Sequence, residues 1–263
     1  AFQPVDAIAP GTTERWRIFD ATNGRYTRLV LDGAPMVVAA LDGCALASPI
    51  TVPELLLAPG QRAELLVRAP ATANQKLVLR TVGYDRGAMV PISPAVKLLE
   101  ISTSSAGAIA PFAIPLTLPA LPALPENLAV TQTIVLSDMG MVMGGGMGGG
   151  ANGRFTINGK VFDPARDDIT IKAGAAQEWL VRNDGMMDHP LHIHGTSFQL
   201  VASNRGNIAS DPRLNAFMDI VNLKSGEQIR IRLRIDTPGR RMFHCHILEH
   251  EAQGMMGVIN VIP

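Results

Sequence analysis

Cysteine is almost absent from this sequence, at two in 263 residues. Two thiols do not make a disulfide framework, so a packed core must hold the chain. A hydrophobic content of 47% with 17% charged residues is enough for one. Long apolar runs are also missing. No stretch reaches the roughly 18 residues that a membrane-crossing helix needs. Charge excess is missing too: 23 basic residues balance 23 acidic ones. With no basic block and no aromatic-basic stripe, a nucleic-acid-binding face is excluded. No secretory leader is visible at Ala1, where a trimmed start would hide one. At 263 residues the length suits about two domains.

Helical periodicity is scarce, and short β-type runs between Gly, Pro, Asn and Asp turns dominate. Arg15–Phe19, Ala63–Val67 and Lys76–Leu79 alternate as strands do. Gln228–Ile235 is a strict polar/apolar alternation, the pattern of a half-buried strand. The expected fold class is therefore all-β, built of sandwiches. Residues 102–130 are rich in Pro, Ala and Ser, with Pro111, Pro115, Pro119, Pro122 and Pro125 closely spaced. That composition favours an extended linker. The expected division is a first domain over 1–103, a linker over 104–130 and a last domain over 131–263. Both halves place a turn before a tryptophan, Pro10-Gly11 before Trp16 and Ala173-Gly174 before Trp179, which hints at duplication.

All six histidines fall in two short segments. One reads His189-Pro190-Leu191-His192-Ile193-His194-Gly195. The other reads His244-Cys245-His246-Ile247-Leu248-Glu249-His250, with Met255 beyond it. Two His, one Cys and a weak axial Met form the ligand set of a blue-copper electron-transfer site. Cys245, His250 and Met255 supply three of these, and His189 would be the fourth. A plain electron-transfer site needs no histidine beside its cysteine. Here His244 and His246 flank Cys245. On an extended chain they face away from it together and point to a second metal site. His192 and His194 share a face by the same alternation. Pro190 interrupts normal ladder pairing and would let His189 break from that alternation to reach the first site. The competing readings are structural histidines and zinc, but finger-type Cys/His spacing is absent. With Cys245 on metal, Cys44 remains as a small, buried, unreactive thiol.

These two segments resemble the C-terminal signatures of multicopper oxidases, especially the bacterial periplasmic cuprous oxidases and laccase-like enzymes. Phe155–Lys160 resembles the family's strand entering the last domain, and Gly257–Val261 its closing strand. The resemblance implies two cupredoxin-like Greek-key β-sandwich domains, the first a middle domain without ligands. It implies copper as cofactor in three kinds of centre. Type 1 copper would take His189, Cys245, His250 and Met255. Type 2 copper would take His192, and the type 3 pair His194, His244 and His246. Glu251 matches a carboxylate thought to relay protons to bound oxygen. A buried carboxylate with a raised pKa suits that role. The resemblance also implies a periplasmic or extracellular location.

Only the C-terminal pair of the family's ligand segments is present, with no further histidine to complete the cluster. The expectation is that an N-terminal cupredoxin domain accompanies this chain as a separate or lost segment, and that the isolated chain is catalytically incomplete. Met139, Met141, Met143 and Met147 lie in a glycine-rich stretch. They are read either as soft ligands for substrate Cu(I) or as adaptable apolar filler. Met186 and Met187 match a Met pair before the family's first ligand segment. Asp184 and Asp188 stand beside them, although the family's substrate-site acid falls in register nearer Gly185.

The expected function is an oxidase that takes single electrons from Cu(I) or a phenolic donor and passes them to dioxygen, yielding water. Two alternatives stay open. One is a copper-binding electron-transfer module. The other is a nitrite reductase-like protein, against which the paired His244 and His246 argue.

Overall fold

The computed structural model describes residues 5–87, 90–138, 155–205, 213 and 216–263. The all-β expectation holds: among the described residues there are twenty strands and one five-residue helix. The chain forms two compact units. One comprises the described part of Ala1–Asp85 with Pro91–Leu121, and the other Arg86–Val90 with Pro122–Pro263.

In the first unit the strands are β1 (Val5–Ile8), β2 (Thr13–Phe19), β3 (Thr27–Asp32), β4 (Met36–Leu41), β5 (Cys44–Val52), β6 (Leu55–Leu57), β7 (Arg62–Arg68), β8 (Lys76–Val82) and β9 (Val96–Thr103). They make two sheets, β1-β9-β8-β3-β6 and β2-β7-β4-β5. Consecutive strands such as β2 and β3 sit in different sheets, so the chain crosses between layers. β7 shows the period of two directly. Ala63, Leu65 and Val67 are buried, while the residues between them are partly exposed. Cys44 is only partly exposed, and not buried as expected. It follows the tight turn at Asp42 and Gly43, both at positive φ, and opens β5 opposite Leu41 at the end of the hairpin.

The second unit contains β10 (Val130–Ser137), β11 (Thr156–Ile157), β12 (Ile169–Lys172), β13 (Ala176–Asn183), β14 (His189–Ile193), β15 (Phe198–Ser203), β16 (Phe217–Met218), β17 (Ile220–Leu223), β18 (Gln228–Arg234), β19 (Gly239–Cys245), α1 (Leu248–Ala252) and β20 (Met256–Ile262). Its sheets are β11-β10-β13-β18-β15-β16 and β12-β20-β19-β14-β17. β18 is the alternating run seen in the sequence: Ile229, Ile231 and Leu233 are buried. Each such side chain contributes about 2 kcal/mol by leaving water. On its other face Arg230 and Arg232 hold the buried Glu178 of β13 at 2.9 and 2.8 Å. Register brings these charges together, because Glu178 lies opposite Arg232.

The Pro-rich stretch between β9 and β10 forms no strand, since proline cannot donate to a ladder. Its N-terminal part is nevertheless fixed to the first unit. The Ile109 amide donates to the Pro10 carbonyl at 2.8 Å and the Leu118 amide to the Ala47 carbonyl at 3.0 Å. From Pro122 onward it belongs with the second unit.

Candidate metal centre

The first histidine segment forms β14, and the second begins at the end of β19, beside it, and runs on into α1. β14 pairs antiparallel with β19, setting Leu191 opposite Cys245 and His192 opposite His244. Residues opposite one another on paired strands share a face, so His192 and His244 point the same way and Cys245 the other. The flanking backbone continues the register. The His246 amide donates to the Pro190 carbonyl at 2.8 Å, and the Cys245 amide to the Met255 carbonyl at 3.0 Å.

On one face His189, Cys245 and His250 converge, all buried. The two imidazole Nδ1 atoms stand 3.1 Å apart, and Cys245 Sγ lies 3.7 Å from His189 Nδ1 and 3.5 Å from His250 Nδ1. The point equidistant from these three atoms in their plane is about 2.0 Å from each, the length of a metal–nitrogen bond. The donor set is the trigonal His₂Cys of a blue-copper site, so the residues fit a copper ion. Burial pushes the Cys245 thiol up to about 12, so a metal must displace its proton to bind. Met255 is fully buried and its backbone is tied to both Cys245 and His250.

His189 reaches this group without breaking alternation. β14 runs as a regular strand through Pro190, paired with β17 from His189 opposite Leu223 to His192 opposite Ile220. An odd separation of three residues already puts His189 and His192 on opposite faces. The break expected at Pro190 is therefore not needed.

On the other face four imidazoles gather. The His194 and His244 Nε2 atoms are 3.0 Å apart, and His192, His194 and His244 can offer ligand atoms within 4.8 Å of one another. The His246 ring sits 5.6 Å from that of His244 and 5.7 Å from that of His192, and its Nδ1 is buried without a hydrogen-bond partner. His192 Nδ1 lies 2.8 Å from the Asp219 carbonyl, which leaves Nε2 for the cluster. Burial lowers the pKa of His192, although Asp219 opposes it. Burial also takes His244 down to about 4, against the opposing effects of the Cys245 carbonyl and Glu251. Neutral imidazoles are the form that binds metal. Glu251, on α1, puts Oε2 3.3 Å from His244 Nδ1, and its side chain is 29% exposed.

Several residues around these groups carry no signal in the sequence. Asp138 follows β10 directly and is buried, with its carboxylate oxygens accepting from the Met186 and Met187 amides at 2.7 and 3.2 Å. Its Oδ2 is 3.7 Å from His189 Nε2, just beyond hydrogen-bond length, and that nitrogen is otherwise unpartnered. Burial raises the Asp138 pKa, but His189 and the two amides outweigh it and hold the carboxyl below its ordinary value. Gly185 is bare for a reason. A Cβ there would stand 2.7 Å from Asp138 Oδ1 and 2.9 Å from His189 Nε2. Phe155 stacks on the His250 ring at 3.9 Å. Nothing in the sequence singles out Asp138, and Phe155 is read there only as part of a strand.

The substrate-site candidates do not assemble among the described residues. Met139, Met141, Met143 and Met147 lie outside them. Asp184 is engaged by Arg182 at the surface, and Asp188 accepts from Asn222 at 2.9 Å. Met187 is buried and Met186 is 48% exposed.

Two family models, both described as multicopper oxidase, match this chain over residues 136–263 and 4–89. The chain belongs to the multicopper oxidase family. Members of this family bind copper, the metal that suits both donor groups. A multicopper oxidase of Staphylococcus epidermidis is 31% identical over 252 residues, covering 94% of this chain and 48% of that protein. Among solved structures, a multicopper oxidase from Campylobacter jejuni described as a metallo-oxidase superposes with a TM-score of 0.82. It is 33% identical, and the match covers 99% of this chain and 55% of that one. The McoA multicopper oxidase of Aquifex aeolicus gives 0.83 at 26% identity, covering 99% of this chain and 57% of that one. The chain spans about half the length of the curated relatives it matches.

Proposed function

We propose that this chain is the electron-accepting half of an oxidase that couples one-electron oxidation of Cu(I) or a phenolic donor to reduction of dioxygen to water. The carrying observation is the β14–β19 register, which sets two groups of candidate metal ligands back to back. His189, Cys245, His250 and Met255 would hold type 1 copper. His192 would hold type 2 copper, and His194, His244 and His246 the type 3 pair. Copper bound at such sites supplies one-electron transfer and oxygen reduction.

The chain's own residues set up that chemistry. Cys245 Sγ belongs to the first group, and its backbone neighbours His244 and His246 belong to the second, so a few covalent bonds join the two. Burial excludes water from the thiolate. Glu251, partly exposed and 3.3 Å from His244 Nδ1, would hold and pass a proton in this reading. The four cluster histidines are completed, in this reading, by histidines from another cupredoxin domain.

The test is to saturate the chain with copper, count copper per chain and record the visible spectrum. One copper with intense blue colour, lost in Cys245→Ser, supports a type 1 site and a cluster awaiting its partner domain. Absence of a blue band, or a blue band that survives Cys245→Ser, refutes the assignment.

A further inference from the structure

The connection from β8 to β9 makes an excursion. It leaves the first unit after Asp85 and rejoins it at Pro91, while Arg86–Val90 belong to the second unit. There Gly87 forms an isolated antiparallel bridge with Met187, two residues before His189. The Asp188 amide donates to the Arg86 carbonyl at 2.8 Å. The excursion thus clasps the segment that leads into β14.

A side chain does not fit at the point of contact. Gly87 has φ +86°, a backbone conformation that residues with a Cβ rarely adopt. A Cβ there would stand 2.5 Å from the Met186 carbonyl oxygen and 3.3 Å from Met187 Cα. Both obstacles are backbone and cannot rotate aside.

The clasped segment frames His189. The Met186 and Met187 amides donate to Asp138, and the Met187 carbonyl accepts from Asn183 Nδ2 at 2.8 Å. Asp138 Oδ2 in turn lies 3.7 Å from His189 Nε2. A shift of Met186–Asp188 therefore reaches His189 by two routes, through Asp138 and along the backbone.

We propose that Gly87 is a positioning residue for the metal group of His189, Cys245 and His250. Its bare backbone lets the β8–β9 connection close on Met186 and Met187, which holds Asp138 and the His189 imidazole in place. The inference rests on reading that group as a type 1 copper site.

Comparing Gly87→Ala with Gly174→Ala tests this. Gly174 has φ +76°, and a Cβ there meets nothing within 4 Å, so this variant carries the backbone strain without the push. Both should lower the urea midpoint. Only Gly87→Ala should weaken copper binding at the His189 group, by about tenfold or more, and move the maximum of its visible band. In the metal-free folded chain, only Gly87→Ala should speed labelling of Cys245 by a thiol reagent, by about fivefold or more through local opening. Equal copper affinity, visible band and labelling in the two variants overturn the proposal. If the unaltered chain takes up copper without a blue band, the type 1 reading fails by itself, and the labelling comparison still decides the role of Gly87. If Gly87→Ala does not fold, amide exchange in the unaltered chain decides. The Val90 amide donates to the Gly87 carbonyl at 3.2 Å, and reciprocal coupling requires bound Cu(I) to slow its exchange. Exchange unchanged by Cu(I) overturns the proposal.

Discussion

Replacing Gly185 with Ala will loosen the first metal group without touching a ligand. The new Cβ would stand 2.7 Å from Asp138 Oδ1 and 2.9 Å from both Asp138 Cγ and His189 Nε2. Neither neighbour has room to retreat. Asp138 is held by two backbone amides, and His189 is fully buried. Gly185 itself is pinned, its amide on Asn183 Oδ1 and its carbonyl under the Ser225 hydroxyl, both at 2.8 Å. Relief therefore stretches the Asp138 hydrogen bonds or tilts the imidazole.

Overpacking of this kind costs about 1–3 kcal/mol, and the entropic gain of Gly→Ala returns under about 1. The expected net loss is about 2 kcal/mol. Urea denaturation of the metal-free chain, followed by Trp179 fluorescence in a Trp16→Phe background, measures it as a lower midpoint at unchanged slope. Copper affinity at the His189 group should drop roughly 10–100-fold, as when a residue supporting a ligand is displaced. Gly107→Ala is the control, since a Cβ there meets nothing within 4 Å. If Gly185→Ala matches the parent within about 0.5 kcal/mol, the threshold for an inconsequential change, and binds copper equally, the reasoning is refuted.

Other outcomes follow from the same geometry. The metal-free chain should lose stability as pH falls from 6.5 toward 4, because unfolding frees His244 to take up a proton that its folded pKa of about 4 refuses. The loss is on the order of 2–3 kcal/mol, and urea midpoints that stay flat across that window would exclude it. In the folded metal-free chain near neutral pH, a thiol reagent should modify the partly exposed Cys44 and leave Cys245 intact, since Cys245 is buried with its thiol at about 12. Mass spectrometry reads this, and early labelling of Cys245 would contradict it. Asp138→Asn should shift the reduction potential of copper in the His189 group upward by removing a negative charge, and unchanged voltammetry would rule out coupling. Glu178→Gln should destabilise the second unit by about 2 kcal/mol, because it leaves Arg230 and Arg232 without their counter-charge. The figure is discounted because Arg230 is half exposed, and an unchanged melt would show the pair to be neutral.

Local chemistry and local periodicity were legible in the one-dimensional chain. The alternation of Gln228–Arg234 marks a strand because side chains in an extended backbone change faces at every residue. The same rule separates Cys245 from His244 and His246; it also separates His192 from His189, where Pro190 had suggested a break that the regular strand does not contain. Ligand softness is a property of residue type, so the Cys-His-Met set pointed to copper before any fold was known.

Tertiary structure alone decided the rest, because sheet order and register arise from pairings between residues far apart in the chain. It put β14 beside β19, so that His189 meets Cys245 and His192 faces His244. It brought Asp138 from the end of β10 under His189 and laid Phe155 on His250. It also left Asp20 with an unpartnered oxygen at the edge of the first sandwich. No spacing rule relates these residues, since their meeting depends on which strands pack together and not on how far apart they lie along the chain.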